Sequence, residues 1–176
     1  LMKDLQVRLK ESGKPTSQED VSAVGARTAA YASACAAQFT KGGLALPDVP
    51  ALAELQVEAQ QIDAARETIA RAASAPGADA AAKAATLATG VRVLARQLRQ
   101  PGVLDQAEAW VTELETLPAA FVRERMEAHG VLNNYYRADD IDAGIIRHST
   151  RLIELNAALP AGQGTPAISN TIVSSG

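Results

Sequence analysis

The sequence has few of the residues that nucleic-acid binding, disulfide bonding and membrane insertion require. Aromatic residues make up 3% of the chain and its net charge is −3 at pH 7, so we expect no nucleic-acid partner. The single cysteine, Cys35, excludes a disulfide within the chain. No stretch approaches the roughly 18 uncharged apolar residues of a membrane span, and we expect no such span.

Motifs for metal, nucleotide or acid–base chemistry are also missing. The Glu-x-x-His pairs of a di-iron bundle are absent, because Met126 and Ile145 stand three residues before the two histidines, His129 and His148. We interpret His129 as a cation at a helix end and His148 as a core or interface histidine. No glycine-rich phosphate loop or nucleophile elbow is present. The sequence therefore predicts a protein that is not an enzyme and has no cofactor and no metal.

What the sequence has in abundance is alanine, with 37 residues, together with larger apolar side chains at helical spacing. Leu87, Val91, Leu94 and Leu98 are three or four residues apart, and comparable stripes recur along the chain. Small alanine faces allow helix axes to approach closely. We predict an all-α bundle of about six to seven helices, forming one domain over residues 1–160.

Glycine, proline and capping residues set the expected helix boundaries. Leu55, Ile62 and Ile69 are spaced by seven and predict one helix with a short coiled-coil-like seam. Asp79 is expected to cap a helix over residues 80–99. A shorter helix is expected over residues 119–129, ending at the glycine that follows it.

The last predicted helix begins in the densest acidic cluster of the chain, formed by Asp139, Asp140 and Asp142. We expect Asp139 to cap this helix, since acidic side chains suit the positive end of the helix dipole. A weak divalent-cation site is the alternative interpretation of the cluster.

Residues 161–176 differ from the rest because they include no charged side chain. The segment is rich in glycine, proline, serine and threonine, yet it contains Ile168, Ile172 and Val173. We predict an extended C-terminal arm that docks on neighbouring subunits, by strand addition or in a groove.

Tyr135 and Tyr136 are the best candidates for a surface hot spot, because tyrosine is enriched at interfaces. The alternative is that one of the two caps the core. Together with Ile168, Ile172 and Val173 of the arm, they are the partner-binding residues that the sequence predicts.

The sequence has apolar stripes that pack helices together, but it has no motif for catalysis. This combination favours a non-enzymatic structural or assembly protein. It would act through helix packing and the arm, with protein partners in a homo-oligomer or a larger assembly. A virion connector, or another ring-forming or secretion assembly, is the candidate at the level of architecture. The alternative is a small-ligand or signal-sensing helical bundle, with a cavity near Trp110, Tyr31 and His148. No signal peptide is visible, so the expected location is cytoplasmic or virion-associated.

Overall fold

The computed structural model describes residues 18–42 and 48–159, and within those ranges the chain forms helices and no strand. The all-α prediction is therefore confirmed. None of these helices combines the length and the hydropathy that a membrane crossing needs. The predicted arm lies outside the described residues. In chain order the helices are α1 (Gln18–Gly42), α2 (Val49–Glu58), α3 (Ile62–Ala73), α4 (Ala80–Val93), α5 (Val103–Thr116), α6 (Val122–Ala138) and α7 (Asp142–Ala157), with a short 3₁₀ turn (Ala95–Gln97) after α4.

The core forms around α4, which packs against α2, α3, α5 and α6. As predicted, Asp79 caps α4, accepting a hydrogen bond from the Ala82 N–H at 2.7 Å. A Cβ on Gly90 would lie 2.7 Å from both Ile69 and Trp110, so the glycine lets two large side chains rest on the backbone of α4. The predicted stripe on α4 and the turn after it is buried, comprising Leu87, Val91, Leu94 and Leu98.

The heptad-spaced seam does not form one helix. α2 ends at Glu58 and α3 begins at Ile62, and between them Gln60 adopts a φ of 60°. A single residue in this left-handed region is enough to reverse the chain, so that α2 and α3 pack on each other. Leu55 is consequently only half-buried, although the seam predicts it to be a core residue.

α6 extends beyond the predicted end of its helix. It runs through Gly130 to Ala138, because the buried face of Leu132 and Tyr136 continues the packing on the core. A glycine inside a helix costs about 1 kcal/mol relative to alanine, less than the burial of one large apolar side chain contributes.

The acidic cluster does not cap α7 as expected. The capping position belongs to Ile141, and the carboxylate of Asp139 instead pairs with Arg99 after α4. Asp140 has a φ of 55°, which places the turn between α6 and α7 at this residue. Only Asp142 lies in the first turn of α7, where its charge suits the helix dipole.

The first and last described helices lie at the periphery of the bundle. α1 packs chiefly on α2, and α7 packs chiefly on α6. On α1, Tyr31 is 62% exposed, while Thr28 and Ala32 are buried. The small side chain of Ala32 lets α1 approach α2 closely.

Candidate functional site

A line of four titratable side chains joins α5, α6 and α7. His129 on α6 and His148 on α7 approach with their Nδ1 atoms 2.8 Å apart. The Nε2 atom of His129 lies 2.9 Å from Glu115, and that of His148 lies 3.2 Å from Glu108, both glutamates being on α5. We call these four residues the Glu-His-His-Glu network. His148 is 1% exposed and His129 is 5% exposed, so the centre of the network is sealed from solvent.

Helical spacing brings these side chains to one place. Glu108 and Glu115 are seven residues apart on α5 and therefore project from the same face, two turns apart. α6 and α7 approach closely because α7 has a glycine where the helices meet. A Cβ on Gly144 would lie 2.3 Å from the Tyr136 ring. That ring stacks on His148, with centroids 5.4 Å apart and planes inclined by 16°.

Two arginines hold Glu115 in place. Arg151 donates to both carboxylate oxygens, at 2.9 and 2.7 Å, in the bidentate geometry that makes strong charge-assisted hydrogen bonds. Arg125 lies 3.3 Å from the same carboxylate and is buried. Its guanidinium also donates to the carbonyls of Leu114 and Leu117, so it satisfies the C-terminal end of α5.

The environment fixes the charge of Glu115 and of its histidine partner. Burial acts to raise the pKa of Glu115, but hydrogen bonds from Arg151 and His129 outweigh it and lower that pKa to about 2. Burial lowers the pKa of His129 below its ordinary value, and the hydrogen bond to Glu115 offsets this only in part. Near pH 7, Glu115 is therefore ionised and His129 is neutral.

Glu108 is held in a similar way at the other end of the network. Burial acts to raise its pKa, but the contacts with His148 and Tyr136 outweigh burial and lower it. The Tyr136 hydroxyl donates to Glu108 at 2.5 Å. Burial, together with this hydrogen bond, raises the pKa of Tyr136 to about 12.

The short Nδ1–Nδ1 distance fixes the direction of the hydrogen bonds, since a neutral imidazole has only one N–H. His129 uses its proton at Nε2 to donate to ionised Glu115, so its Nδ1 accepts from His148. The Nε2 atom of His148 lies within hydrogen-bond distance of both Arg147, at 3.1 Å, and Glu108, at 3.2 Å.

The arrangement suits the fastening of α7 to the rest of the bundle. Both histidines are almost fully buried, and the four side chains form a line without a common centre. Across residues 18–42 and 48–159, no group of three or more histidine, cysteine or acidic side chains could hold a metal ion. In this arrangement the network ties α7 to α5 and α6.

The outward face of α7 carries a row of exposed, mostly apolar side chains. Four exposed side chains follow one another on this face at steps of four, three and four residues. We call them the α7 ridge, and they are Ile146, Thr150, Ile153 and Ala157. Ile146 is 65% exposed and Ile153 is 45% exposed. The opposite face carries His148 and Leu155, which are buried.

An open cleft of about 820 Å³ lies between α1, α2 and the end of α4, and we call it the α1–α2 cleft. Its apolar lining includes Val24 and Tyr31 from α1, Leu55 from α2 and Val93 from α4. The charged side chains in its lining are Arg27, Glu54, Glu58, Arg92 and Arg96.

The structure separates the residues that the sequence predicts to bind partners. Tyr136 is buried against the network, with its ring stacked on His148. Of the two alternatives for the tyrosine pair, Tyr136 therefore follows the one in which a tyrosine caps the core. Tyr135 packs edge-on against Tyr136 and also lines a second cleft of about 450 Å³. Partner binding by Tyr135 stays a prediction. Ile168, Ile172 and Val173 lie outside the described residues.

The cavity expected near Trp110, Tyr31 and His148 is not formed by those three residues. Trp110 is buried against Gly90, His148 belongs to the network, and Tyr31 lines the α1–α2 cleft.

Sequence reasoning missed Glu108 and Glu115, which it did not single out as site residues. Their spacing by seven on one helix face was the available indication.

Comparison with known proteins adds no functional information. No protein-family model, curated protein or solved structure matches the chain.

Proposed function

We propose that the chain is a non-enzymatic assembly module that associates with further copies of itself through the α7 ridge. The observation that carries this proposal is the exposure of Ile146 and Ile153 on one face of a helix whose other face is firmly anchored. Large aliphatic side chains aligned on one exposed face are typical of interaction sites.

The anchoring of α7 favours association. The Glu-His-His-Glu network fixes the opposite face of the helix through His148, and Arg151 adds a bidentate bond to Glu115. A binding element that is already ordered loses less conformational entropy when it binds. Burial of the exposed part of each isoleucine contributes roughly 1–2 kcal/mol.

The predicted arm, residues 161–176, follows α7 in the chain and would extend the same interface onto a neighbouring subunit. Its uncharged composition suits a groove or a strand edge on the partner. A ring of such subunits, as in a virion connector or a secretion apparatus, is the kind of assembly that we propose.

Sedimentation velocity of the full chain over a range of concentrations tests the proposal. The wild type is expected to form a multimer, and the double variant Ile146→Ser/Ile153→Ser is expected to be a monomer at the same concentration. Ile141→Ser is the matched control, because it removes an exposed isoleucine outside the ridge and should leave the mass unchanged. A monomeric wild type, or a ridge variant of unchanged mass, contradicts the proposal.

A ligand-sensing role is the second candidate, and the α1–α2 cleft favours it. Its volume of about 820 Å³ lies within the range of small-molecule pockets, and its lining is mostly apolar. A thermal-shift screen on the monomeric ridge variant would test this role. A ligand that raises the Tm of that variant but not of a Leu55→Arg variant would support it.

A further inference from the structure

The α7 ridge and the α1–α2 cleft are two separate surfaces of the same chain. The ridge lies on α7, which packs chiefly on α6, whereas the cleft is built by α1, α2 and the end of α4. We infer that the ridge of one copy seats in the α1–α2 cleft of the next copy, so that the chains associate head to tail. This inference rests on the proposed self-association and names the surface that receives the ridge.

The ridge has the spacing of apolar side chains that a groove between two helices accepts. A groove between two helices can accept the ridge of a third, with anchors at the spacing i, i+4, i+7 and i+11. The α7 ridge has this spacing from Ile146 to Ala157. The cleft offers apolar walls at Val24, Leu55 and Val93 and is open to solvent along the bundle surface.

The unpaired charges also favour this arrangement. Within the described ranges, Arg27 and Arg96 in the cleft form no ion pair with an acidic side chain. Glu58 in the same lining forms none with a basic side chain, so the unpaired charges of the cleft sum to a positive value. The remaining arginine of the lining, Arg92, lies 3.0 Å from Glu54 and 3.1 Å from Glu127.

At the start of α7, Asp140 and Asp142 are exposed and form no ion pair within the described part of the chain. Their negative charge complements that of Arg27 and Arg96 in the cleft.

A symmetric pairing of two α7 ridges would leave the same charges unmatched. In an antiparallel pair, Asp142 of one copy would approach the last turn of α7 of the other, and that turn has no basic residue. In a parallel pair the acids of the two copies would face each other and repel. A ridge and a cleft on one subunit instead give a heterologous contact, which closes into a ring or continues as a filament.

Mixing two variants tests the head-to-tail contact. The ridge variant is Ile146→Ser/Ile153→Ser, and the cleft variant is Arg27→Glu/Arg96→Glu, whose side chains are exposed. Each alone is expected to associate more weakly than the wild type, by roughly 100-fold for the ridge and roughly tenfold for the cleft. An equimolar mixture should form a dimer and nothing larger, because it retains one intact ridge and one intact cleft.

Charge exchange supplies the control for folding. Adding Asp140→Lys/Asp142→Lys to the cleft variant should restore the wild-type mass, which a misfolded cleft could not do. Circular dichroism should show the same helix content in all variants.

The outcomes separate the two proposals. If the ridge variant is monomeric while the cleft variant assembles like the wild type, self-association stands and the head-to-tail contact is wrong. A mixture that forms no dimer also overturns the head-to-tail contact, as does failure of the charge exchange. If the wild type is monomeric, the proposed function itself fails.

Discussion

His148 donates from Nδ1 to Nδ1 of His129 across 2.8 Å, and this bond links the last described helix to the rest of the bundle. Two histidines at this distance must share one proton, because two bare nitrogens would repel each other. The ionised carboxylate of Glu115 determines which histidine donates. It accepts a hydrogen bond from the Nε2–H of His129, so the Nδ1 atom of neutral His129 has no proton to donate. A half-buried acid on α5 therefore sets the polarity of a bond in the core.

Replacement of His148 tests how much the network stabilises the fold. His148→Ala leaves a cavity and an unsatisfied nitrogen on His129, and it should lower the free energy of unfolding by about 2–4 kcal/mol. Chemical denaturation followed by circular dichroism measures the change. At a protein concentration low enough to keep the chain monomeric, Ile146→Ala, on the exposed face of the same helix, should change it by less than about 0.5 kcal/mol. Equal effects of the two substitutions would show that the network contributes no particular stability.

The lowered pKa of His129 makes stability depend on pH. The unfolded chain binds a proton at His129 near pH 6.5, whereas the folded chain binds it only at lower pH. Stability present above pH 6.5 should therefore be lost as the pH falls below that value. Glu115 adds a second loss between pH 4.5 and about 2, where the unfolded chain takes up a proton first.

Thermal melts between pH 8 and pH 2 measure both losses. In His129→Gln the decline just below pH 6.5 should be shallower than in the wild type, because glutamine does not titrate. Identical slopes in the two proteins would contradict the assignment of the first loss to His129.

The sequence is sufficient to predict the parts of the fold that depend on local pattern. Leu87 and Leu98 lie on a buried stripe because helical spacing alone aligns them, and the Asp79 cap depends on a residue three positions away. The prediction for Gly130 was wrong for the opposite reason. Whether a glycine ends a helix depends on what the next turn packs against, and that is a tertiary property.

The network could not be predicted in the same way. His129 is 14 residues from Glu115, and His148 is 40 residues from Glu108, so their contacts depend on how three helices pack. The α7 ridge, in contrast, depends only on the spacing of residues along one helix. On a helix that places His148 in the core, helical spacing leaves Ile146 and Ile153 on the other face.

Neutralising Glu115 should destabilise the protein strongly. Glu115→Gln removes the countercharge from Arg125, which is 4% exposed and cannot regain full hydration. Loss of one partner from a buried ion pair costs about 3–5 kcal/mol. Glu154→Gln is the matched control, since it breaks an exposed pair with Arg151 and should cost less than about 1 kcal/mol. If urea denaturation gives similar midpoints for the two variants, Glu115 is not the central ion of the network.

Two glycines in neighbouring helices should respond in opposite ways to alanine. A Cβ on Gly144 would lie 2.3 Å from the Tyr136 ring, so Gly144→Ala must push α7 away from α6 or displace the ring from His148. Overpacking of this kind costs about 1–3 kcal/mol or more. Gly130 lies inside α6 with nothing within 4 Å of an added Cβ, so Gly130→Ala should stabilise the protein by about 0.5–1 kcal/mol.

Differential scanning calorimetry of the two alanine variants should show a lower Tm for Gly144→Ala and a higher Tm for Gly130→Ala. Tyr136→Ala in the Gly144→Ala background isolates the cause, because it removes the ring that the new methyl group meets. In that background the added cost of Gly144→Ala should nearly vanish, since the clash needs both side chains. A full cost without the ring would mean that α7 approaches α6 through some other contact, and the close packing of Gly144 on Tyr136 would not be what orders the network.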